Sequence, residues 1–360
     1  MLIFYSGIGV VINYAHKRYS HELRLEAATF IAHVTHTSIL TLQMFIACRG
    51  FKVLVDLLDE EAQDLVYEGV SGISSVFDLN NSTNKIEFCR IFAKEGLLEP
   101  LSSALSISLK DYSEEAIEVR EQSTKIYLIF AQVAQTDKVV LKYLGTRSIL
   151  RKLLKCCLSI DLNSGGILVN LLKVFKHVST NANMLEVLQN SNAIDVFVKI
   201  LESRIEGKGD RSNEISSQLL QIFFSLTRLS PSRQEEAAQA GLIPQLKRVY
   251  ETSSPLKQFA LPILCDFAHA GKSCRALLWK HSGLELYVRL LGDPYFQVSA
   301  LEAILVWLQN ETDRVESYLI QLKPLESILS MFIYSKANSF EATLEPLLKI
   351  CRLSKGKILY

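Results

Sequence analysis

The 360-residue chain is 49% hydrophobic and 21% charged, with 39 Lys and Arg against 38 Asp and Glu, for a net charge of +1. Enough apolar surface for a large core excludes a disordered polyelectrolyte, and the near-neutral balance argues against a general nucleic-acid binder. The seven cysteines are scattered with no Cys-x-x-Cys spacing, the pattern of free thiols in a reducing compartment.

Met1 to Tyr14 is apolar but has no basic n-region and no clear cleavage site. It is too short and too interrupted by glycine to span a membrane, so it reads as part of a first repeat, and no membrane insertion is expected. No Pro, Gly or Ser-rich linker divides the chain, and residues 1–360 read as a single armadillo-type domain. A recurrent mark, Gly or Asn followed by apolar residues at helical spacing, stands at Gly50, Gly96, Gly145, Asn192, Gly241 and Gly283, and less cleanly near Leu322. Intervals of roughly 40–50 residues are those of armadillo and HEAT repeats. The apolar runs do not alternate, which favours helices over strands. The expected fold is an all-α, right-handed superhelical solenoid of about seven to eight repeats.

Longer third helices are expected over Glu22–His36, Asp64–Asn80, Ile117–Gln135, Ile167–Thr180, Asn213–Leu229, Pro255–Ala270, Phe296–Gln309 and Ser339–Leu353. Pro262 should bend the sixth or remove one of its hydrogen bonds. The segment from Ile205 to Ser212 is the most loop-like. The stretch from Ser230 to Leu291 shows one whole repeat unit. Ser232 and Glu235 have the spacing of a capping box. Gly241 ends a short helix by entering the left-handed conformation. Ser254-Pro255 and Asp293-Pro294 read as helix starts, an N-cap followed by Pro at N1.

In a right-handed armadillo superhelix the third helices line the concave face. Aligning their C-terminal ends gives a ladder of conspicuous side chains: His33, Asp78, Gln132, His177, Arg228, Asp266, Trp307 and Arg352. The ladder is mixed in charge, so a uniformly basic peptide is not the expected ligand. The plain alternative is that these are ordinary end-of-helix residues facing solvent and terminal carbonyls. A second candidate surface is the basic helix face of Arg147, Arg151, Lys152 and Lys155, which suits an acidic partner.

Catalytic and cofactor signals are weak. Gly271-Lys272-Ser273 resembles the end of a phosphate-binding loop, but the required upstream glycine position is Asp266. Asp266-Phe267-Ala268 echoes a kinase motif without the Gly-rich or His-Arg-Asp loops. His33 and His36 lack completing ligands for a metal. Cys156-Cys157 reads as buried apolar filler. No catalytic residue, cofactor or metal is expected in this chain.

The wording of several segments is more specific than a generic helix. Thr41 to Val55, Phe88 to Ile91, Arg233 to Ala238 and Ser254 to Asp266 resemble the C-terminal armadillo region of plant MAP-kinase-kinase-kinase epsilon. They are equally similar to its fungal relatives, the kinases of the septation initiation and mitotic exit networks. The similarity runs from about Glu22 to Leu353, is weakest from Tyr112 to Ile160, and leans towards a fungal origin. The resemblance implies a non-catalytic protein-interaction module of a Ser/Thr protein kinase of septation and cytokinesis, whose kinase domain lies elsewhere. It implies a cytoplasmic protein recruited to the spindle pole body by a GTP-loaded small Ras-like GTPase, a pole-body scaffold, or both. The alternative is a self-association module, as a homodimer, or an autoinhibitory module of the same kinase.

Overall fold

The computed structural model describes residues 7–78, 82–204, 209–252, 255–334 and 337–354. Every regular element among them is a helix. An opening pair, α1 (Gly7–Tyr14) and α2 (His21–Thr37), precedes seven triplets. The first three are α3 (Ile39–Ala47), α4 (Gly50–Leu57) and α5 (Gln63–Asp78); α6 (Ser82–Lys94), α7 (Leu98–Ser108) and α8 (Glu114–Ala134); and α9 (Lys138–Leu144), α10 (Arg147–Ser159) and α11 (Gly165–Ser179). Next come α12 (Ala182–Asn190), α13 (Ala193–Arg204) and α14 (Ser212–Thr227), then α15 (Pro231–Gln239), α16 (Leu242–Glu251) and α17 (Lys257–Asp266). The last two are α18 (Lys272–Lys280), α19 (Gly283–Leu290) and α20 (Gln297–Asn310); and α21 (Thr312–Leu319), α22 (Leu322–Tyr334) and α23 (Ala337–Leu353). This is the expected all-α armadillo-type repeat. Two compact units divide the chain: Met1–Val196 with Gly207–Gln218, and Phe197–Glu206 with Leu219–Tyr360.

Within the first unit the third helices stack in sequence, α2 on α5, α5 on α8 and α8 on α11. In the second unit α17 packs on α20, and α20 on α23. A third helix held between neighbours must be apolar on several sides. In α11 Ile167, Leu168, Leu171, Leu172, Phe175 and Val178 are all buried. The short second helices bury one face; α10 hides Ile149, Leu150, Leu153, Leu154, Cys156 and Cys157. Burial pushes the Cys156 thiol up to about 11 and the Cys157 thiol well above its ordinary value, so both are inert filler. Aromatic rings join successive triplets, as where Phe92 stacks on Phe51 at 4.3 Å and packs against Phe77 at 5.7 Å.

Five of the repeat marks stand at left-handed junctions, in two different ways, whereas Gly145 does not (φ −77°). Gly96 (φ 85°), Asn192 (φ 67°) and Gly241 (φ 97°) are left-handed. At two other junctions the left-handed residue precedes the glycine: Arg49 (φ 61°) before Gly50, and Ser282 (φ 57°) before Gly283. Gly50 is needed for space, because a Cβ there would lie 2.2 Å from the Phe45 ring.

Three helix starts differ from expectation. Pro231 takes N1 of α15, so the N-cap position is Ser230 and Ser232 lies inside the first turn. The spacing of Ser232 and Glu235 is therefore not a capping box; Glu235 lies against Gly271, where a Cβ would meet its carboxylate. Ser254 lies outside the described residues, and Pro255 stands in a turn two residues before α17 begins. Asp293-Pro294 forms a turn ahead of α20, in which the Asp293 carboxylate accepts from the Tyr295 N–H at 2.9 Å. Pro262 lies inside α17, which ends at Asp266 and tightens into a 3-10 turn over Phe267–His269. Of the expected loop, residues 205–208 lie outside the described residues. Gly209, Asp210 and Arg211 are exposed, and the Asp210 N–H donates to the Leu162 carbonyl at 2.9 Å.

Candidate interaction surfaces

The ladder positions have unequal environments. In the first unit His33, Asp78 and Gln132 are exposed, and His33 donates from Nδ1 to the Thr29 carbonyl of its own helix at 2.9 Å. His177 is half-buried; burial, and then Lys176, push its imidazole pKa down. In the second unit Arg228 is exposed, with its guanidinium 5.3 Å from the Phe224 ring centroid. Asp266 is half-buried. Burial raises its carboxyl pKa, and the fields of His269 and Arg228 oppose that rise, so these three groups share one neighbourhood. Arg352 is exposed in the last turn of α23. Trp307 is a correction, being fully buried at 0% exposure with its ring against Trp279 at 6.0 Å and Tyr287 at 6.1 Å. A large ring in a third helix is worth most as core, and Trp307 presents nothing to a partner.

The groove of the first unit lies elsewhere on the same helices. α2, α5 and α8 line an open groove of about 660 Å³, bordered by Thr29, Asp64, Tyr67, Glu68, Glu115, Glu118 and Gln122 among others. Asp64 bonds His21 Nε2 at 2.8 Å, Thr29 donates to Glu68 at 3.1 Å, and Gln122 donates to Glu118 at 2.9 Å. Tyr67 donates to Asp111 at 3.1 Å; burial, and then that bond, push its phenol up to about 12. The groove is acidic, whereas the ladder is mixed. The ladder runs along helix C-termini, and the groove is lined from the first turns of α5 and α8. The i, i+4 pairs Asp64/Glu68 and Glu118/Gln122 are the signal that the sequence offers for it, since such positions share a helix face.

The basic face on α10 exists as a surface. Arg147, Arg151 and Lys155 are exposed, and no ion pair forms on any of the three among the described residues. Lys152 differs, because its ammonium lies 2.5 Å from the Glu99 carboxylate of α7, which also accepts from Ser148 at 3.1 Å. Ser102, Ser103, Ser106, Ile107, Lys152 and Lys155 line a notch of about 310 Å³ between α7 and α10.

Among the described residues no group of three His, Cys, Asp or Glu could hold a metal, and no helix is long and apolar enough to cross a membrane. His36's side chain lies outside the described set. Gly271 opens α18 from extended backbone with φ −68°, after a helix and 3-10 turn and not the strand a phosphate-binding loop requires.

No family model matches the chain. Over 361 residues, 98% of this chain, it is 43% identical to the cytokinesis protein sepH of Aspergillus niger, covering 26% of that protein. It is 31% identical over 355 residues to cell division control protein 7 of Schizosaccharomyces pombe, covering 98% of this chain and 32% of that protein. It is 34% identical over 257 residues to MAP3K epsilon protein kinase 1 of Arabidopsis thaliana, covering 71% of this chain and 18% of that protein. The chain thus spans about a quarter to a third of the fungal relatives it matches. Among solved structures, a chain from a study of cadherin and beta-catenin aligns with TM-score 0.61 at 11% identity, covering 96% of this chain and 60% of its own. Computationally designed armadillo repeat proteins for modular peptide recognition align with TM-score 0.51 at 17% identity, covering 71% of this chain and 99% of theirs; both likenesses concern the fold alone. Helix triplets, armadillo-type neighbours and 43% identity to three fungal sepH proteins over nearly the whole chain agree: the chain belongs to the armadillo-type region of the sepH family of cell-division proteins.

Proposed function

We propose that this chain is the interaction region of a Ser/Thr protein kinase of septation, and that it brings the kinase to the spindle pole body. The partner in this reading is a GTP-loaded Ras-like GTPase, a pole-body scaffold, or both, met in the cytoplasm. The relatives' names supply the process, cytokinesis and cell division, and the plant relatives supply the kinase. The kinase domain in this reading lies in the part of the protein outside this chain.

The observation that carries the reading is the α10 face. Arg147, Arg151 and Lys155 project from one ordered helix without ion-pair partners among the described residues, and unpaired charge on a rigid element favours steered association with an acidic surface. A switch GTPase offers a surface that is ordered only while its γ-phosphate is bound, which an armadillo surface can read without chemistry of its own. A footprint of about 1,200–2,000 Å² in total is the usual scale.

The test is titration of the 360-residue chain with the cognate GTPase, loaded separately with a GTP analogue and with GDP. The expected result is at least about tenfold tighter binding to the GTP form, about 1.4 kcal/mol. Arg151→Glu should slow association, most strongly at low salt. Equal binding to both forms, or none, overturns the GTPase reading and leaves the scaffold.

A further inference from the structure

The triplet α21–α23 and its junctions carry a concentration of exposed apolar side chains. Ile320, Leu322, Leu329, Ile333, Tyr334, Phe340 and Leu348 are all exposed, with Leu322 at 71%, Ile333 at 70% and Tyr334 at 81%. At about 100° per residue, Leu322, Leu329 and Ile333 share a stripe about 40° wide on α22. α22 and α23 meet where the Phe332 and Phe340 rings lie 5.2 Å apart. Seven such side chains at roughly 100 Å² apiece reach several hundred Å², near the roughly 800 Å² that one side of a standard interface buries.

The polar residues on α23 indicate what covers it. α23 packs on α20. Glu341, Glu345, Leu348 and Arg352 are exposed and fall within an arc of about 60°, with Lys349 at its edge. Read along the helix, this stripe is acidic in its first half, apolar at Leu348 and basic in its second half. Such a pattern is complementary to itself when reversed. In an antiparallel pair of α23 helices, the register that sets Glu341 against the second copy's Arg352 also sets Glu345 against the second copy's Lys349, within one residue. The two leucines at position 348 then lie close to the crossing point. Glu345 and Lys349 are already paired within one helix, 2.7 Å apart, so dimer contacts would extend that pair into a four-membered network.

We propose that α22 and α23 form the contact face of a homodimer in which the two copies of α23 lie antiparallel across a two-fold axis. A two-fold contact uses the same patch on both copies, and the acid-to-base order along α23 meets that condition. The dimer is independent of the GTPase reading, since α10 takes no part in it.

Analytical ultracentrifugation of the full 360-residue chain, from about 1 µM upward, tests the assignment. The chain should show a reversible monomer–dimer equilibrium. Glu341→Arg alone sets like charges together at two symmetric places and should weaken the dimer at least tenfold, as should Arg352→Glu alone. The double variant Glu341→Arg with Arg352→Glu reverses both partners and should restore the dimer. Leu348→Glu should leave a monomer whose helical circular dichroism is unchanged and whose binding to GTP-loaded GTPase is retained. A wild-type chain that stays monomeric overturns the proposal and assigns the face to another protein or another segment. A dimer indifferent to the single reversals, or not restored by the double, overturns it equally.

Discussion

A Cβ built on Gly50 would lie 2.2 Å from the Phe45 ring, and that ring lies edge-on to Phe51, centroids 6.2 Å apart. At Gly96 the opposite holds: nothing lies within 4 Å of a Cβ, and the backbone sits at φ 85°. The same substitution should therefore fail for different reasons. Gly50→Ala should cost about 1–3 kcal/mol by overpacking, and Gly96→Ala about 1–2 kcal/mol by left-handed strain. Urea denaturation of each variant in a Phe45→Leu background separates the two. The smaller side chain should recover part of the Gly50→Ala loss and none of the Gly96→Ala loss, because only contacting residues couple. The sequence shows both glycines at one repeat spacing and cannot show this difference, since the Phe45 ring that excludes a side chain is placed by tertiary packing. Trp307 escapes a reading of the sequence for a related reason. Its position near the end of a third helix suggests a groove, while its burial depends on Trp279 and Tyr287, roughly 20 to 30 residues away in the chain.

At the scale of single helices, the best-formed N-cap is one that no repeat mark announces. Asp137 accepts the Val139 and Val140 N–H groups through one carboxylate oxygen, both at 2.9 Å, and the other oxygen takes the Arg90 guanidinium at 2.6 Å. The Val140 N–H, with Arg90 adding to it, holds the Asp137 carboxyl below its usual pKa. A depressed folded pKa stabilises the protein above the unfolded value near 3.9, and that contribution is lost as pH falls through the folded pKa. Asp137→Ala should cost roughly 1 kcal/mol at neutral pH. Asp137→Asn keeps an acceptable cap and loses only the charge on Arg90, so it should cost less than the alanine variant. The difference between wild type and the asparagine variant should shrink below about pH 4, measured as urea midpoints at neutral and acid pH. A difference that stays constant with pH would mean that the charge contributes nothing. Helix bodies are legible in the sequence to within about four residues, because apolar runs of helical period mark the third helices. Helix starts are less legible. Adjacent Ser230, Pro231 and Ser232 offer competing caps, and boundary signals are ambiguous by a residue or two. Pro231 decides the case at α15 by occupying N1.

Across the whole chain, the repeat architecture is legible because period and composition suffice to declare it. The basic face of α10 is legible too, because one helix carries it, but the acidic groove is not, because it is assembled from helices about 50 residues apart, whose relative rotation no single helix encodes. The acidic groove of α2, α5 and α8 and the dipolar stripe on α23 both depend on which face each neighbour covers. The division into two compact units leads to a last prediction. Within each unit, contacts between third helices run from one triplet to the next, through α2, α5, α8 and α11 and through α17, α20 and α23, and stability in such arrays is close to a sum of local and nearest-neighbour contributions. Phe92→Ala removes a ring that stacks on Phe51 and packs on Phe77 and should cost about 3–5 kcal/mol. In a repeat array that loss should be felt locally. Hydrogen exchange followed by mass spectrometry should show faster exchange in α4–α8, with α19 and α20 close to their wild-type protection. Uniform acceleration through both units would instead mean that the chain unfolds as one cooperative body, and that nearest-neighbour additivity fails for it.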